Sequence, residues 1–157
     1  SVAILNGTES PADLERLATD IHLYYGLGCR NVTKLFVPRE YDFVPLVRSF
    51  DGFSHFMDQN KYKNNYDYQL SIILLNNVYY MTNGNTLLIE NNAAFSPISV
   101  VNYEYYEPGQ IPANKINTEE DIQCIVGNGF VPFGMAQCPD LFSYADGVDT
   151  MQFLLSL

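Results

Sequence analysis

The sequence predicts an α/β fold in which helices flank a β-sheet that is mostly parallel or mixed. Short apolar runs alternate with amphipathic helical stretches, an order typical of sheets whose strands are joined by helices. The 157 residues, of which 47% are hydrophobic and 17% charged, suit one domain with a buried core. Three cysteines without a CxxC pair, and only two histidines, argue against a fold held by disulfides or by a structural zinc ion.

The first third of the chain predicts a strand, a helix and a second strand. Residues 2–5 are an apolar run that ends at an Asn-Gly pair. Ser10 offers an N-cap, with proline at the first helical position and aspartate three residues after the cap. A glycine pair within 26–28 ends this helix, and a strand at 32–37 follows. Helical spacing predicts one buried face, made of Leu14, Leu17, Ala18, Ile21 and Tyr25.

The middle of the chain predicts helices and a hairpin. Asp42 is placed to cap one helix, and a short helical piece at 53–57 and a longer helix at 64–76 follow it. Strand-like runs at 78–81 and 86–89 flank an Asn-Gly pair, which is a hairpin signal. The inward residues of the two longer helices would be Phe43, Leu46, Val47 and Phe50, and then Tyr66, Leu70, Ile73 and Leu74.

The last third predicts a strand, a helix and a terminal element of undetermined type. The β-branched run at 98–103 predicts a strand, and a loop at 107–112 comes after it. Residues 117–121 place acids in the first turn of a predicted helix that includes Cys124 and ends at a Gly-Asn-Gly turn. The apolar segment 148–157 fits either a helix or a strand. The inward residues of the acidic helix would be Ile122, Ile125 and Val126.

The net charge of −10 is distributed unevenly. Residues 1–63 hold seven lysines and arginines against eight acids, a net charge of −1, whereas residues 64–157 hold Lys115 against ten acids, a net charge of −9. This acidic half argues against nucleic acid or an anionic membrane as a partner. No apolar run approaches the roughly 18 residues of a membrane span, and no secretory signal is recognisable, so we expect a cytoplasmic protein. Because the sequence starts with Ser1 directly before an apolar run, we expect a segment of a longer protein.

Cys29 is the candidate reactive residue. It follows the glycine pair that ends the first helix and precedes a strand, so its thiol is expected on a short bend between two rigid elements. The guanidinium of Arg30 favours a thiolate there, whereas the partial negative charge at a helix C-terminus opposes one. Cys124 and Cys138 are expected to be structural.

Two other interpretations stay open from the residues alone. A cysteine is most often a small buried hydrophobic residue, and this would fit a non-catalytic acidic interaction domain. A cysteine hydrolase that uses His22 as its base is a further alternative, because the spacing of His22 and Cys29 does not exclude a Cys/His pair. No glycine-rich phosphate-binding loop is present in the sequence.

The order of these motifs resembles the catalytic domain of the aldehyde dehydrogenase superfamily. The strand, helix, Gly-x-Gly-Cys bend and strand of the first third are similar, and so is Phe95-Ser96-Pro97, which resembles the superfamily's Phe-Gly-Pro segment before a β-branched strand. Within the superfamily, the chain resembles the LuxC-type acyl-CoA reductase branch along nearly its whole length. The segments that carry this resemblance are 28–32 (Gly-Cys-Arg-Asn-Val), 64–68 (Asn-Asn-Tyr-Asp-Tyr) and 144–149 (Tyr-Ala-Asp-Gly-Val-Asp).

The resemblance implies that residues 1–157 are one aldehyde dehydrogenase catalytic-domain-like unit, with a nucleotide-binding domain upstream. Cys29 would attack an acyl-CoA substrate, expel CoA and carry the acyl group, which hydride from NADPH or NADH would reduce to an aldehyde. Phe95 would stand near the nicotinamide. Ala93 and Ser96 depart from the superfamily, which often has an acid two residues before that phenylalanine and a glycine after it. Homo-oligomerisation is also implied, and we expect no NADPH turnover by this chain alone.

Overall fold

A mixed β-sheet forms the centre of the fold in a computed structural model that describes residues 1–107, 116, 122–141, 143–144 and 148–157. Its strands are β1 (Val2–Ile4), β2 (Lys34–Pro38), β3 (Tyr80–Thr82), β4 (Leu87–Glu90), β5 (Val100–Tyr106) and β6 (Ile125–Gly127). They lie in the order β3-β4-β5-β2-β1-β6 within the described residues. Every neighbouring pair is parallel except the β3–β4 hairpin. The predicted α/β class with a mixed sheet and flanking helices is therefore confirmed.

The helices follow the capping signals in the sequence. Their bounds are α1 (Pro11–His22), α2 (Phe43–Ser49), α3 (Asn60–Leu75) and α4 (Thr150–Leu155), with 3₁₀ segments at Leu23–Gly26 and Phe50–Asp58. Before α1, the Ser10 side chain accepts from the Asp13 N–H while the Asp13 carboxylate accepts from the Ser10 N–H, which completes a capping box. The Asp42 carboxylate likewise accepts from the Val44 N–H and begins α2.

The largest part of the core lies where α1 and α2 pack against the sheet. Leu14, Leu17 and Ala18 of α1 are buried, as the helical spacing predicted, against Leu35 of β2 and Val101 of β5. A second buried cluster joins α3 to the β4–β5 side of the sheet, and its buried members are Tyr66, Ile73, Leu87 and Val100. The first of these clusters packs α1 against β2, the two elements that the cysteine bend connects.

The prediction of an acidic helix near residues 117–126 is wrong for the residues that the structure describes there. Ile125–Gly127 form strand β6, parallel to β1, and Cys124 precedes this strand without helical structure. Gly127 comes so close to Ile4 of β1 that a Cβ at this position would lie 2.6 Å from the Ile4 carbonyl oxygen. The chain there hydrogen-bonds to β1, a long-range pairing that overrides the local helical spacing. Residues 117–121, and residues 108–112 of the loop predicted at 107–112, lie outside the described residues.

Smaller differences concern element bounds. α3 begins at Asn60, four residues earlier than predicted, and Leu74 near its end is exposed rather than inward. The hairpin strands and the strand predicted at 98–103 are confirmed within one or two residues at most ends, although β5 continues to Tyr106. The terminal apolar segment forms α4, whose residues are exposed. Across the described helices, none has the length and apolarity needed to span a bilayer.

Candidate functional site

Cys29 lies on a bend between α1 and β2, and its side chain is exposed. Because β2 begins five residues later, the bend sits at the edge where the parallel strands β1 and β2 start. The expected position of the thiol, on a bend outside the helix, is confirmed. Its exposure disfavours the alternative in which Cys29 only packs. Cys138 is also exposed, whereas Cys124 is half-buried and its Sγ lies 3.2 Å from Ser1 Oγ.

The turn that leads into the bend has a left-handed backbone. The φ angles are 57° at Tyr24, 59° at Tyr25 and 74° at Gly26. The prediction that Tyr25 belongs to the buried face of α1 is wrong, because α1 ends at His22 and Tyr25 is 39% exposed. The Tyr25 ring packs instead on Phe56, with ring centroids 4.3 Å apart. Left-handed non-glycine residues cost about 1–3 kcal/mol each, and they concentrate at functional sites.

Asn31 holds the bend in place. Its side chain is 1% exposed, and its Nδ2 lies within 3.0 Å of the carbonyl oxygens of Asp20, Ile21 and Leu23. Its Oδ1 accepts from the Gly28 N–H at 2.6 Å. One amide therefore caps the C-terminal carbonyls of α1 and fixes the residue before Cys29. Buried side-chain networks of this kind make a loop rigid when all members are hydrogen-bonded.

Gly28 allows two side chains to approach the bend closely. A Cβ added there would lie 2.7 Å from both Asn31 Oδ1 and Gln137 Nε2, well inside ordinary contact distance. The Gln137 Nε2 is buried, and within the described residues it has no hydrogen-bond partner. The glycine before Cys29 thus lets two side-chain amides meet the backbone of the bend.

The segment that carries Gln137 is anchored to α1 by a buried carboxylate. Asp20 accepts from the Gly134 N–H at 2.6 Å and from the Ala136 N–H at 3.0 Å. Desolvation by burial raises the pKa of Asp20, and these two N–H groups partly oppose that effect. Arg30 Nε donates to the Ala136 carbonyl oxygen at 2.5 Å, so the guanidinium next to Cys29 is bound to this same segment.

The loop that contains Phe95 crosses from β4 to β5 and is tied to β2 and β5. Thr33 Oγ1, just before β2, donates to the Ala94 carbonyl oxygen at 2.8 Å. Asn102 Nδ2 donates to the carbonyl oxygens of Ala93 and Phe95, each at 3.0 Å. The Phe95 side chain itself is 51% exposed.

The Phe95 loop and the cysteine bend are neighbours. They share the lining of a small cavity of about 20 Å³, to which Gly26 and Asn31 contribute from the bend and Ser96 and Ile98 from the loop. The two segments that the sequence singled out, about 65 residues apart, therefore meet at one edge of the sheet.

His22 is not available to the Cys29 thiol. It is 2% exposed, and its ring stacks on Phe53 with centroids 4.5 Å apart. Nδ1 donates to the Ala18 carbonyl oxygen at 2.7 Å, and Nε2 lies 2.7 Å from Thr86 Oγ1. Both ring nitrogens are thus engaged, and the structure gives no support to a cysteine hydrolase that uses His22 as its base.

The burial of His22 predicts a pH-dependent stability. Desolvation lowers the pKa of His22 from 6.5 to about 4, although the hydrogen bond to Ala18 opposes this. As the pH falls through 6.5, His22 takes up a proton in the unfolded chain but not in the folded chain. The contribution of His22 to the free energy of unfolding is therefore fully present above pH 6.5 and is lost as the pH falls toward 4. From pH 7.5 to pH 5, urea denaturation should show that this group removes roughly 2 kcal/mol from the free energy of unfolding.

The His22→Gln variant is the control for that measurement, since glutamine does not titrate. Asp20 contributes with the opposite sign at low pH, so the quantity to follow is the difference between the native chain and the variant. An identical pH dependence in both chains would contradict the assignment to His22.

Sequence reasoning missed the groups that build the bend, namely Asn31, Asp20 and Gln137. Asn31 and Asp20 carried a weak signal. Asp20 is a polar residue next to buried Ile21 on α1, and Asn31 is an asparagine two residues after the candidate cysteine. Such residues indicate local hydrogen bonding, but the sequence does not show which groups they bind. Gln137 carried none, because its position depends on a long-range contact.

Comparisons with known proteins assign no family to the chain, so the site is interpreted from its geometry. No family model matches the chain, and no curated protein is similar enough to it to count as a relative. Among the residues that the structure describes, no three His, Cys, Asp or Glu side chains come together as a group that could hold a metal ion.

Proposed function

We propose that the chain is the catalytic domain of an NAD(P)H-dependent acyl-CoA reductase of the LuxC type, with Cys29 as the acyl-accepting nucleophile. The observation that carries this proposal is the exposed Cys29 thiol on a bend that Asn31 holds in place. A nucleophile has to be open to its substrate and fixed relative to the groups around it. The mixed α/β sheet is compatible with an aldehyde dehydrogenase-like catalytic domain, and this finer fold assignment is part of the proposal.

Cys29 would perform the first chemical step. Attack by its thiolate forms a bond from sulfur to the acyl carbon and releases CoA as a thiolate, leaving the acyl group on Cys29 as a thioester. The tetrahedral intermediate carries an oxyanion that needs N–H donors directed at it. The Cys29 main-chain N–H is a candidate donor, because no described residue accepts a hydrogen bond from it.

The Phe95 loop is the part of this chain that could contact the nicotinamide cofactor. The half-exposed Phe95 ring offers an apolar surface on a loop that lines the same small cavity as the cysteine bend. Residues 91–99 contain no charged side chain, however, and Ala93 offers no carboxylate to a ribose. The loop therefore fits the apolar part of the cofactor only, and we propose that residues outside this chain hold most of it. When bound, NADPH or NADH would supply the hydride that turns the acyl thioester into an aldehyde and a free thiol.

The experiment that tests this function is acylation of the chain in the absence of any nicotinamide cofactor. After incubation with tetradecanoyl-CoA, peptide mass spectrometry should find one acyl group on the peptide that contains Cys29. Hydroxylamine, which cleaves thioesters, should remove it. Labelling confined to another residue, or no labelling, refutes Cys29 as the nucleophile.

A further inference from the structure

Asn-Gly pairs occur at three places in the sequence, at 6–7, 83–84 and 128–129. Asparagine is thermolabile, and most of all before glycine, because the glycine main-chain nitrogen has no neighbouring Cβ to shield it and can attack the asparagine Cγ. This attack needs a glycine N–H that is free of hydrogen bonds and an asparagine side chain that can turn toward it. Since all three pairs meet the sequence requirement, their surroundings decide which of them reacts.

The Asn6-Gly7 pair is held by hydrogen bonds on both sides. The Gly7 N–H donates to Glu9 Oε2 at 3.1 Å. Asn6 Oδ1 accepts from the main-chain N–H of Thr8 at 2.9 Å and from its hydroxyl at 2.7 Å. The attacking nitrogen and the attacked side chain are therefore both engaged in this loop.

The Asn83-Gly84 pair, in the hairpin between β3 and β4, is held in the same way. The Gly84 N–H donates to Thr82 Oγ1 at 2.9 Å. Asn83 Nδ2 donates to Asp51 Oδ1 at 2.9 Å, and Asn83 Oδ1 accepts from the Thr86 N–H at 3.2 Å. These contacts have to break before the glycine nitrogen can reach Cγ.

The Asn128-Gly129 pair lies in an open turn. Both residues are exposed, and the turn is closed by the Phe130 N–H, which donates to the Gly127 carbonyl oxygen at 3.1 Å. Among the residues that the structure describes, neither the Asn128 side chain nor the Gly129 N–H has a hydrogen-bond partner. A Cβ added to Gly129 would meet no atom within 4 Å. Nothing in the described surroundings restrains either reacting group.

From this contrast we infer that Asn128 is a site of spontaneous deamidation in the folded chain, with water as the co-reactant. The Gly129 nitrogen forms a bond to Asn128 Cγ, the Cγ–Nδ2 bond breaks, and ammonia leaves with the proton of the Gly129 N–H. Water then opens the resulting succinimide ring. Opening at Cγ gives aspartate, whereas opening at the main-chain carbonyl carbon gives isoaspartate, in which the chain continues through the side chain. Both products exchange a neutral amide for a carboxylate without any oxidation or reduction.

The isoaspartate product lengthens the main chain of the turn by one methylene. This turn joins β6 to Val131, whose N–H donates to the Ile125 carbonyl oxygen and whose carbonyl oxygen accepts from the Gly127 N–H, each at 3.0 Å. A longer main chain does not fit these hydrogen bonds together with the one that closes the turn. Isoaspartate at Asn128 therefore loosens the edge of the sheet at β6, whether or not Cys29 is acylated.

The test compares the three pairs within one chain. The folded chain is kept at neutral pH for several weeks, and peptide mass spectrometry follows the gain of about 1 Da that accompanies deamidation at each pair. Asn128 should convert about tenfold faster than Asn6 or Asn83, as expected where one hydrogen bond must break before reaction. In urea, where the folded surroundings are lost, the three rates should become similar.

Two outcomes overturn the inference. One is a rate at Asn6 or Asn83 that equals or exceeds the rate at Asn128 in the folded chain. The other is a preference for Asn128 that persists unchanged in urea, because neighbouring sequence rather than structure would then set the rate.

Glu9→Ala is the matched variant, since it removes the acceptor of the Gly7 N–H. Deamidation at Asn6 should rise toward the rate at Asn128, which should itself be unchanged, and no rise at Asn6 would contradict protection by hydrogen bonding. Asn128→Asp reproduces one product without lengthening the main chain. Hydrogen exchange at Gly127 and Phe130 should show a fast population in the aged chain that Asn128→Asp lacks, and identical exchange in the two would overturn the loosening of β6.

Discussion

Replacing Cys29 by alanine is expected to abolish acylation of the chain by tetradecanoyl-CoA. In the proposed intermediate, the acyl group is bound covalently to the chain only through the Cys29 sulfur. The acylation rate of the variant should therefore not exceed the background seen for a chain treated with CoA alone. The measurement is intact-mass spectrometry over a time course, in which the native chain gains the mass of one acyl group and Cys29→Ala gains none.

Cys138→Ala is the matched control for this result. Cys138 is a second exposed free thiol, so an acyl-CoA that reacts with any accessible cysteine would label it as well. Acylation should be unchanged in Cys138→Ala. If Cys29→Ala and Cys138→Ala lose the same amount of acyl adduct, solvent exposure alone explains the labelling, and the bend does not make Cys29 more reactive than Cys138.

Replacing Asn31 by alanine is expected to destabilise the chain by about 3 kcal/mol or more. The substitution removes a buried amide whose Nδ2 donates to the carbonyl oxygens of Asp20, Ile21 and Leu23 and whose Oδ1 accepts from the Gly28 N–H. Of these groups, the Asp20 carbonyl keeps a partner in the Val32 N–H. Each buried polar group that loses its hydrogen bond costs about 1–3 kcal/mol, less where water can enter. Urea denaturation measures the loss, and hydrogen exchange at residues 24–31 should show that the bend opens first.

Two further variants give this prediction its specificity. Asn31→Asp retains the acceptor for Gly28 but turns a carboxylate toward the α1 carbonyl oxygens, so it should be at least as damaging as alanine. Asn76→Ala, which removes an exposed amide with one hydrogen bond to Ile72, should change stability by less than about 0.5 kcal/mol. A loss below about 1 kcal/mol in Asn31→Ala would show that the bend does not depend on this amide.

Elements with local signals at their ends could be predicted from the sequence. Ser10 and Asp42 begin α1 and α2 through hydrogen bonds to residues two or three positions away. The Asn-Gly pair between β3 and β4 likewise acts within a few residues. The β6 segment was assigned wrongly for the opposite reason, since Val126 is in a strand because Ala3 lies beside it.

By itself, the sequence determined the α/β class, the start of α1 and the presence of a cysteine on a bend before β2, because capping, glycines and apolar spacing act over a few residues. Only the tertiary structure decided what surrounds that cysteine. Asp20 and Arg30 bind Ala136 across 116 and 106 positions of the chain, and the Phe95 loop reaches the bend through the order of the strands. Such contacts depend on how the elements pack around the sheet, which no local pattern specifies.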